Sequence, residues 1–208
     1  MLDGRLFVLF LAAATLLAIT PGPGIFYVLS RSLTGGRKEG FLSAAGTFVG
    51  GLFHVVAAGV GISAVVAASA VAFAILKYAG AAYLVFLGVT MIRSRNLPLE
   101  VDSRKATRDH VFGQGVITEV LNPKTALFFL SFIPQFVNPH LGRVLLQFLV
   151  LGFMSVTLNT LADLGVVSFA APIGVRLKSS RQFRRNQRVL SGAAMIGLGT
   201  FVAFGDSK

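Results

Sequence analysis

The chain has 208 residues, of which 54% are apolar and 13% charged, with a mean hydropathy of +0.77; soluble domains carry about 25% charged residues, so a single soluble core is excluded and one compact membrane domain fits the length. The net charge of +11 and the pI of about 11.1 would point to nucleic acid in a soluble protein, but here the basic residues fall between apolar runs, so the expected surroundings are the lipid bilayer and no nucleic acid. The chain has no cysteine, which removes disulfides, thiol redox chemistry and Cys-ligated metal sites.

A bilayer core about 30 Å thick is crossed by roughly 20 residues of helix. Six apolar segments are predicted to do so. The first runs from about Leu6 to Leu33 and is read as a retained span rather than a signal peptide, because Pro21 disfavours cleavage after the apolar run. It is interrupted at Thr20-Pro21-Gly22-Pro23-Gly24. The second, about Phe41 to Ala68, carries Gly46 and Gly50 in a GxxxG spacing, which serves either internal helix packing or a homodimer contact. The third covers about Val71 to Ile92, with Lys77 near its start and expected to snorkel to the interface. A polar connector, 93–110, follows. The fourth span, about Val111 to Ile133, is interrupted at Leu121-Asn122-Pro123-Lys124-Thr125. The fifth runs from about Leu145 to Ala170, and the sixth is the short stretch from Val189 to Phe204.

Lys and Arg in the loops set the orientation. The gaps after spans one, three and five hold Arg31, Arg37, Lys38; Arg93, Arg95, Arg104, Lys105, Arg108; and Arg176, Lys178, Arg181, Arg184, Arg185, Arg188. The opposite ends hold Arg5, Arg143 and Lys208. The rich side is therefore cytoplasmic, and both termini are expected outside. The fold class is all-α: a single polytopic transport domain over 1–208, with halves at about 1–92 and 111–204.

Pro21 and Pro123 lie about half the chain apart, at matching places in the two halves. Proline inside an apolar helix removes a hydrogen bond and clashes with the preceding turn, and loose backbone in lipid is tolerated only where it is buried or lines a cavity. Paired breaks are the sequence mark of a transporter's binding site. At the same offset, Phe26 and Tyr27 match Phe128 and Phe129, and 41–68 matches 143–170. Three spans per half is odd, so the halves face opposite ways in an inverted repeat.

The breaks nominate Pro21, Gly22, Pro23, Gly24, Tyr27, Asn122, Lys124 and Phe128 as substrate-binding residues. Glycine lets backbone approach a ligand, and Lys124 at the start of a half-helix adds charge to free amides that hold carboxylates. Ionisable groups inside spans are functional candidates because burying charge is costly. Glu119, Asp163 and His54 are therefore assigned to proton coupling, with Asn159 one turn before Asp163. The plainer alternatives are charge pairs of Glu119 or Asp163 with Lys124, and a structural hydrogen bond for His54. No HExxH, paired-Asp or Ser/His set is present, and His110 and His140 stand apart, so no enzyme, metal or cofactor is expected.

These motifs resemble the LysE/RhtB family of bacterial amino-acid exporters. The likeness is carried by Thr20-Pro21-Gly22-Pro23, by Tyr27-Val28-Leu29-Ser30-Arg31-Ser32, by Gly35-Gly36-Arg37-Lys38-Glu39-Gly40, by Lys77-Tyr78-Ala79-Gly80 and by Asn122-Pro123-Lys124-Thr125 with Pro134-Gln135-Phe136 beyond. The resemblance covers about residues 6–204. It implies an inner-membrane, proton-coupled exporter of amino acids or small derivatives. A passive channel is the competing expectation, separable by counterflow.

Overall fold

The computed structural model describes residues 4–68, 70–96, 110–138 and 141–204, and all regular structure among them is helical. Helix α1 (Gly4–Ile19) gives way to α2 (Pro23–Thr34) across a bend of 46°. Pro23 takes the first helical turn, where its missing N–H is harmless, and extended Gly22 precedes it. The second break repeats this plan. Helix α5 (Val111–Val120) meets α6 (Pro123–Leu127) at 43°. Asn122 caps α6 by accepting the Lys124 N–H at 3.1 Å. The chain then continues through a π turn, Phe128–Phe132, and a 3-10 turn, Ile133–Phe136. Proline dictates both bends, as expected.

Gly36, with φ of 76°, makes the tight turn from α2 into α3 (Gly36–Ala68), a left-handed conformation that favours glycine. Next come α4 (Ala70–Arg93), α7 (Val144–Ser168), α8 (Ala170–Ser179) and α9 (Arg181–Phe204). Residues Gly36–Gly61, α7 and α9 are each long and apolar enough to cross a membrane, and both bent pairs qualify as units. Helix α4 has 24 residues, and 24 residues of helix span about 36 Å, the length of a sixth crossing. Val8, Phe53, Val60, Ile75, Phe86 and Leu161 are all exposed on outer faces. Such a surface belongs in lipid. The protein is an all-α polytopic membrane protein.

The last third departs from the expected boundaries. Span five ends at Ser168, and α8 is a separate helix. Span six begins at Arg181, not Val189, so Arg181, Arg185 and Arg188 lie on α9 rather than in a loop. Arginine is a good helix former; its charge marks where lipid ends, not where the helix ends. Arg31, counted above with the loop cations, is 8% exposed within α2. Lys77, expected to snorkel, is 6% exposed, with Nζ 5.8 Å from the Tyr78 ring centroid. Most of the 93–110 connector, including Arg104, Lys105 and Arg108, lies outside the described residues, as do His140 and Lys208.

Close helix approach depends on glycine. A Cβ on Gly46 would lie 2.3 Å from the Phe112 carbonyl, and one on Gly50 would lie 2.7 Å from Glu119 Cβ. The GxxxG stripe of α3 is thus spent against α5, inside the molecule. A homodimer contact would need another face. Gly88 of α4 and Gly192 of α9 meet in the same way, each carbonyl 2.5 Å from where the other's Cβ would sit. The main core is aromatic: Phe10, Phe128, Phe129, Phe132, Phe136 and Phe148 are all buried.

Candidate functional site

The two breaks meet. Lys124, from the start of α6, sends Nζ to the end of α1, where it donates to the carbonyls of Thr20 at 2.8 Å and Leu17 at 3.1 Å. The last carbonyls of a helix have no intrahelical partner and carry partial negative charge. Lys124 supplies the opposing charge and a donor to each, the Leu17 carbonyl also accepting from the Thr20 N–H at 3.1 Å. Glu119, one turn before the second break, reaches the other end of the first break. Its Oε2 lies 2.5 Å from where a Cβ on Gly24 would stand, against the first turn of α2. That end carries the positive pole of the helix. Span four therefore places a cation at the negative pole and an anion at the positive pole of broken span one.

The Glu119 carboxylate, 2% exposed, has both oxygens satisfied. Thr125 Oγ1 donates to Oε1 at 2.6 Å and Asn122 Nδ2 donates to Oε2 at 3.0 Å. Asp163 is fully buried on α7; it accepts from the Thr47 hydroxyl at 2.9 Å through Oδ2, while its Oδ1 has no hydrogen-bond partner. Neither carboxylate comes within ion-pair distance of Lys124, whereas Arg31 and Glu39 pair at 3.9 Å. The alternative of direct pairs between Lys124 and either acid is corrected accordingly. Carbonyls take Lys124, hydroxyl and amide donors satisfy Glu119, and a hydroxyl serves one oxygen of Asp163.

Between α1, α3, α5, α6 and α7 lies a cavity of about 20 Å³, lined by Thr47, Glu119, Thr125, Ser155, Asn159 and the rings of Phe128 and Phe129, among others. A cavity of this size holds about one water molecule, so there is no substrate-sized space at the centre among the described residues. Ser155 Oγ is buried there without a partner. Ser155, Asn159 and Asp163 follow at four-residue spacing on α7, a polar stripe on one helix face. Chemically, the arrangement offers acceptors for an ammonium group, and half-helix amides near Gly24 for a carboxylate.

The remaining nominated residues scatter. Pro21 lines an apolar cavity of about 420 Å³ between α2, α7, α8 and α9. Gly22 and Pro23 border another of about 330 Å³, with Pro123, Lys124 and Arg188. Gly22 also abuts the Lys124 side chain, 3.2 Å from Cε to a Cβ built on it. Tyr27 points away from the centre, donating to the Val111 carbonyl at 2.7 Å. His54 Nε2 sits 2.9 Å from the Glu119 carbonyl, so that nitrogen carries the proton in this contact, and the ring stacks on Phe129 at 6.0 Å. His54 thus touches the Glu119 backbone, not its carboxylate. No His, Asp or Glu cluster able to hold a metal occurs among the described residues.

Thr47, Thr125 and Ser155 were not nominated from sequence. Ser155 had a signal: the Asn159–Asp163 spacing extends one turn back to it. Thr47 had none beyond its place beside Gly46, because its partner is 116 positions away.

Comparisons with known proteins agree with this architecture. An uncharacterized membrane protein of Vibrio cholerae is 32% identical over 203 residues, covering 97% of this chain and 98% of that protein. The homoserine/homoserine lactone efflux protein of Salmonella typhi is 29% identical over 188 residues, covering 90% of this chain and 91% of its own. An uncharacterized membrane protein of Pseudomonas aeruginosa is 36% identical over 194 residues, with coverage of 90% and 87%. No solved structure matches the chain. The sequence profile described as LysE type translocator matches residues 15–205, and the chain belongs to that family.

Proposed function

We propose that this translocator exports amino acids or small amino-acid derivatives across the bacterial inner membrane, by proton-coupled alternating access around the paired breaks. The reading rests on one observation: Lys124 and Glu119 of span four occupy the two poles of broken span one, beside a small central cavity whose lining includes Thr47, Glu119, Ser155 and Asn159. The efflux relative named for homoserine and its lactone supports the substrate class.

In this reading the two halves, 1–92 and 111–204, rock about the centre as an inverted repeat. The packing pattern supports the pairing: α3 lies along α5, and its counterpart α7 lies along α1. A substrate ammonium is held by Asp163, whose Oδ1 is unpartnered, together with Asn159 and Ser155. A substrate carboxylate takes the half-helix amides at Gly24 in place of Glu119. A proton arriving from outside neutralises Asp163, weakens its hold on the ammonium, and lets the empty carrier reset. Both termini lie outside in this arrangement.

Counterflow in proteoliposomes tests it, across a panel of labelled amino acids, esters and lactones, with and without a pH gradient. Saturable exchange, accelerated by an inward proton gradient in the wild type but indifferent to it in Asp163→Asn, is the expected outcome. Non-saturable flux without counterflow would identify a channel, and full proton coupling in a Glu119→Gln/Asp163→Asn double variant would falsify the coupling scheme.

A further inference from the structure

We propose that Arg31, Gln114 and Tyr27 form the gate on the basic-loop side of the membrane, and that parting them opens the central cavity to that side alone. Arg31 lies near the end of α2, in the first half; Val111 and Gln114 lie on the first turn of α5, in the second half. Arg31 Nη2 donates to Gln114 Oε1 at 3.1 Å. The Tyr27 hydroxyl donates to the Val111 carbonyl at 2.7 Å and lies 3.4 Å from Gln114 Oε1. The guanidinium carbon stands 5.6 Å from the Tyr27 ring centroid, and Nη1 is 3.9 Å from Glu39 Oε2. One buried arginine thus ties α2, α3 and α5 together at the end of the molecule where the basic loops emerge.

The other end is closed by different chemistry. Phe132 stacks on Phe128 and meets Phe136 at a tilt, each at 4.9 Å, and Phe10 meets Phe136 edge-on at 5.4 Å. Parting those rings exposes apolar surface to water, which is unfavourable in proportion to area. Parting the Arg31 cluster exchanges hydrogen bonds between side chains for hydrogen bonds to water, a small net change. From the closed state, the polar end therefore opens more readily. The cavity between the two clusters has room for only about one water molecule, as expected while both clusters are packed.

The proposal rests on the alternating-access reading, yet its test needs no substrate. The chain has no cysteine, so a single introduced one is unambiguous. Ser155→Cys places it on the cavity wall. Its modification by a membrane-impermeant methanethiosulfonate is followed in sealed vesicles of either orientation. Adding Arg31→Met removes the charged hydrogen bonds, and a shift of the open population by about tenfold or more is expected, read as an equal rise in labelling rate from the basic-loop side only. Tyr27→Phe, which keeps the ring and the fold, gives a smaller rise from the same side and stands in if Arg31→Met is not recovered folded. An unchanged rate, or an equal rise from both sides, overturns the gate. Inert transport with a one-sided rise would instead discard the proposed substrate class and keep the gate.

Discussion

Lys124 follows Pro123 in sequence but serves the end of α1 in space. Two buried carbonyls take its protons, and while that of Leu17 also accepts from the Thr20 N–H, that of Thr20 depends on the lysine. An acceptor left buried and unsatisfied costs about 1–3 kcal/mol. Lys124→Met should therefore lower the thermal midpoint in detergent by about 5 °C or more, with Lys124→Arg losing less because it still donates. Undiminished stability in Lys124→Met would return the lysine to a pure substrate role. Gly24→Ala acts on the opposite pole. Its Cβ would fall 2.5 Å from Glu119 Oε2, so the carboxylate must leave the first turn of α2. Folded protein with transport reduced about tenfold or more is expected, the scale of one lost charged hydrogen bond. The two variants separate the proposed roles, the lysine as what holds the break together and the glutamate as what sets its acceptance of substrate.

At the scale of elements, the breaks were legible because proline and glycine act locally. The bend at Pro21–Pro23 and the Asn122-Pro123 cap follow from a few adjacent residues. The α8–α9 boundary was not legible, because a run of arginines reads as loop by hydropathy and as helix by propensity. Nor were the contacts of Lys124 with Leu17 or of Thr47 with Asp163, which join spans that no local spacing relates. The GxxxG of α3 stood between two uses until α5 appeared against it. That contact predicts a contrast. Gly46→Ala drives a methyl toward the Phe112 carbonyl, 2.3 Å away, and backbone cannot yield as a side chain can. Overpacking of this kind costs about 1–3 kcal/mol. Gly61, on the same helix, has nothing within 4 Å of its Cβ position, so Gly61→Ala should be neutral or stabilising, by up to about 1 kcal/mol. Thermal unfolding of the two variants side by side checks it; equal effects would mean that α3 and α5 do not approach this closely in the membrane.

For the whole molecule, the distribution of basic residues sets the orientation expected in the membrane. Described basic residues Arg37, Lys38, Arg93, Arg95, Arg181 and Arg185 lie at the start of span two, the end of span three and the start of span six, which share one face, against Arg5 and Arg143 on the other. Lys and Arg near span ends are retained on the cytoplasmic side. The chain turns between α6 and α7 on one face, and between α7 and α9 on the other, if span five crosses. Leu141, 54% exposed before α7, and Gln182, exposed at the start of α9, mark those two faces. Single cysteines at each position, in a chain that has none of its own, should label from opposite sides: Leu141→Cys with an impermeant reagent on intact cells, and Gln182→Cys only after permeabilisation. Labelling of both from one side would mean that α7 does not cross, and the odd count of spans per half would fail with it. Labelling in the reversed sense would keep the crossing and turn the Arg31 gate toward the outside.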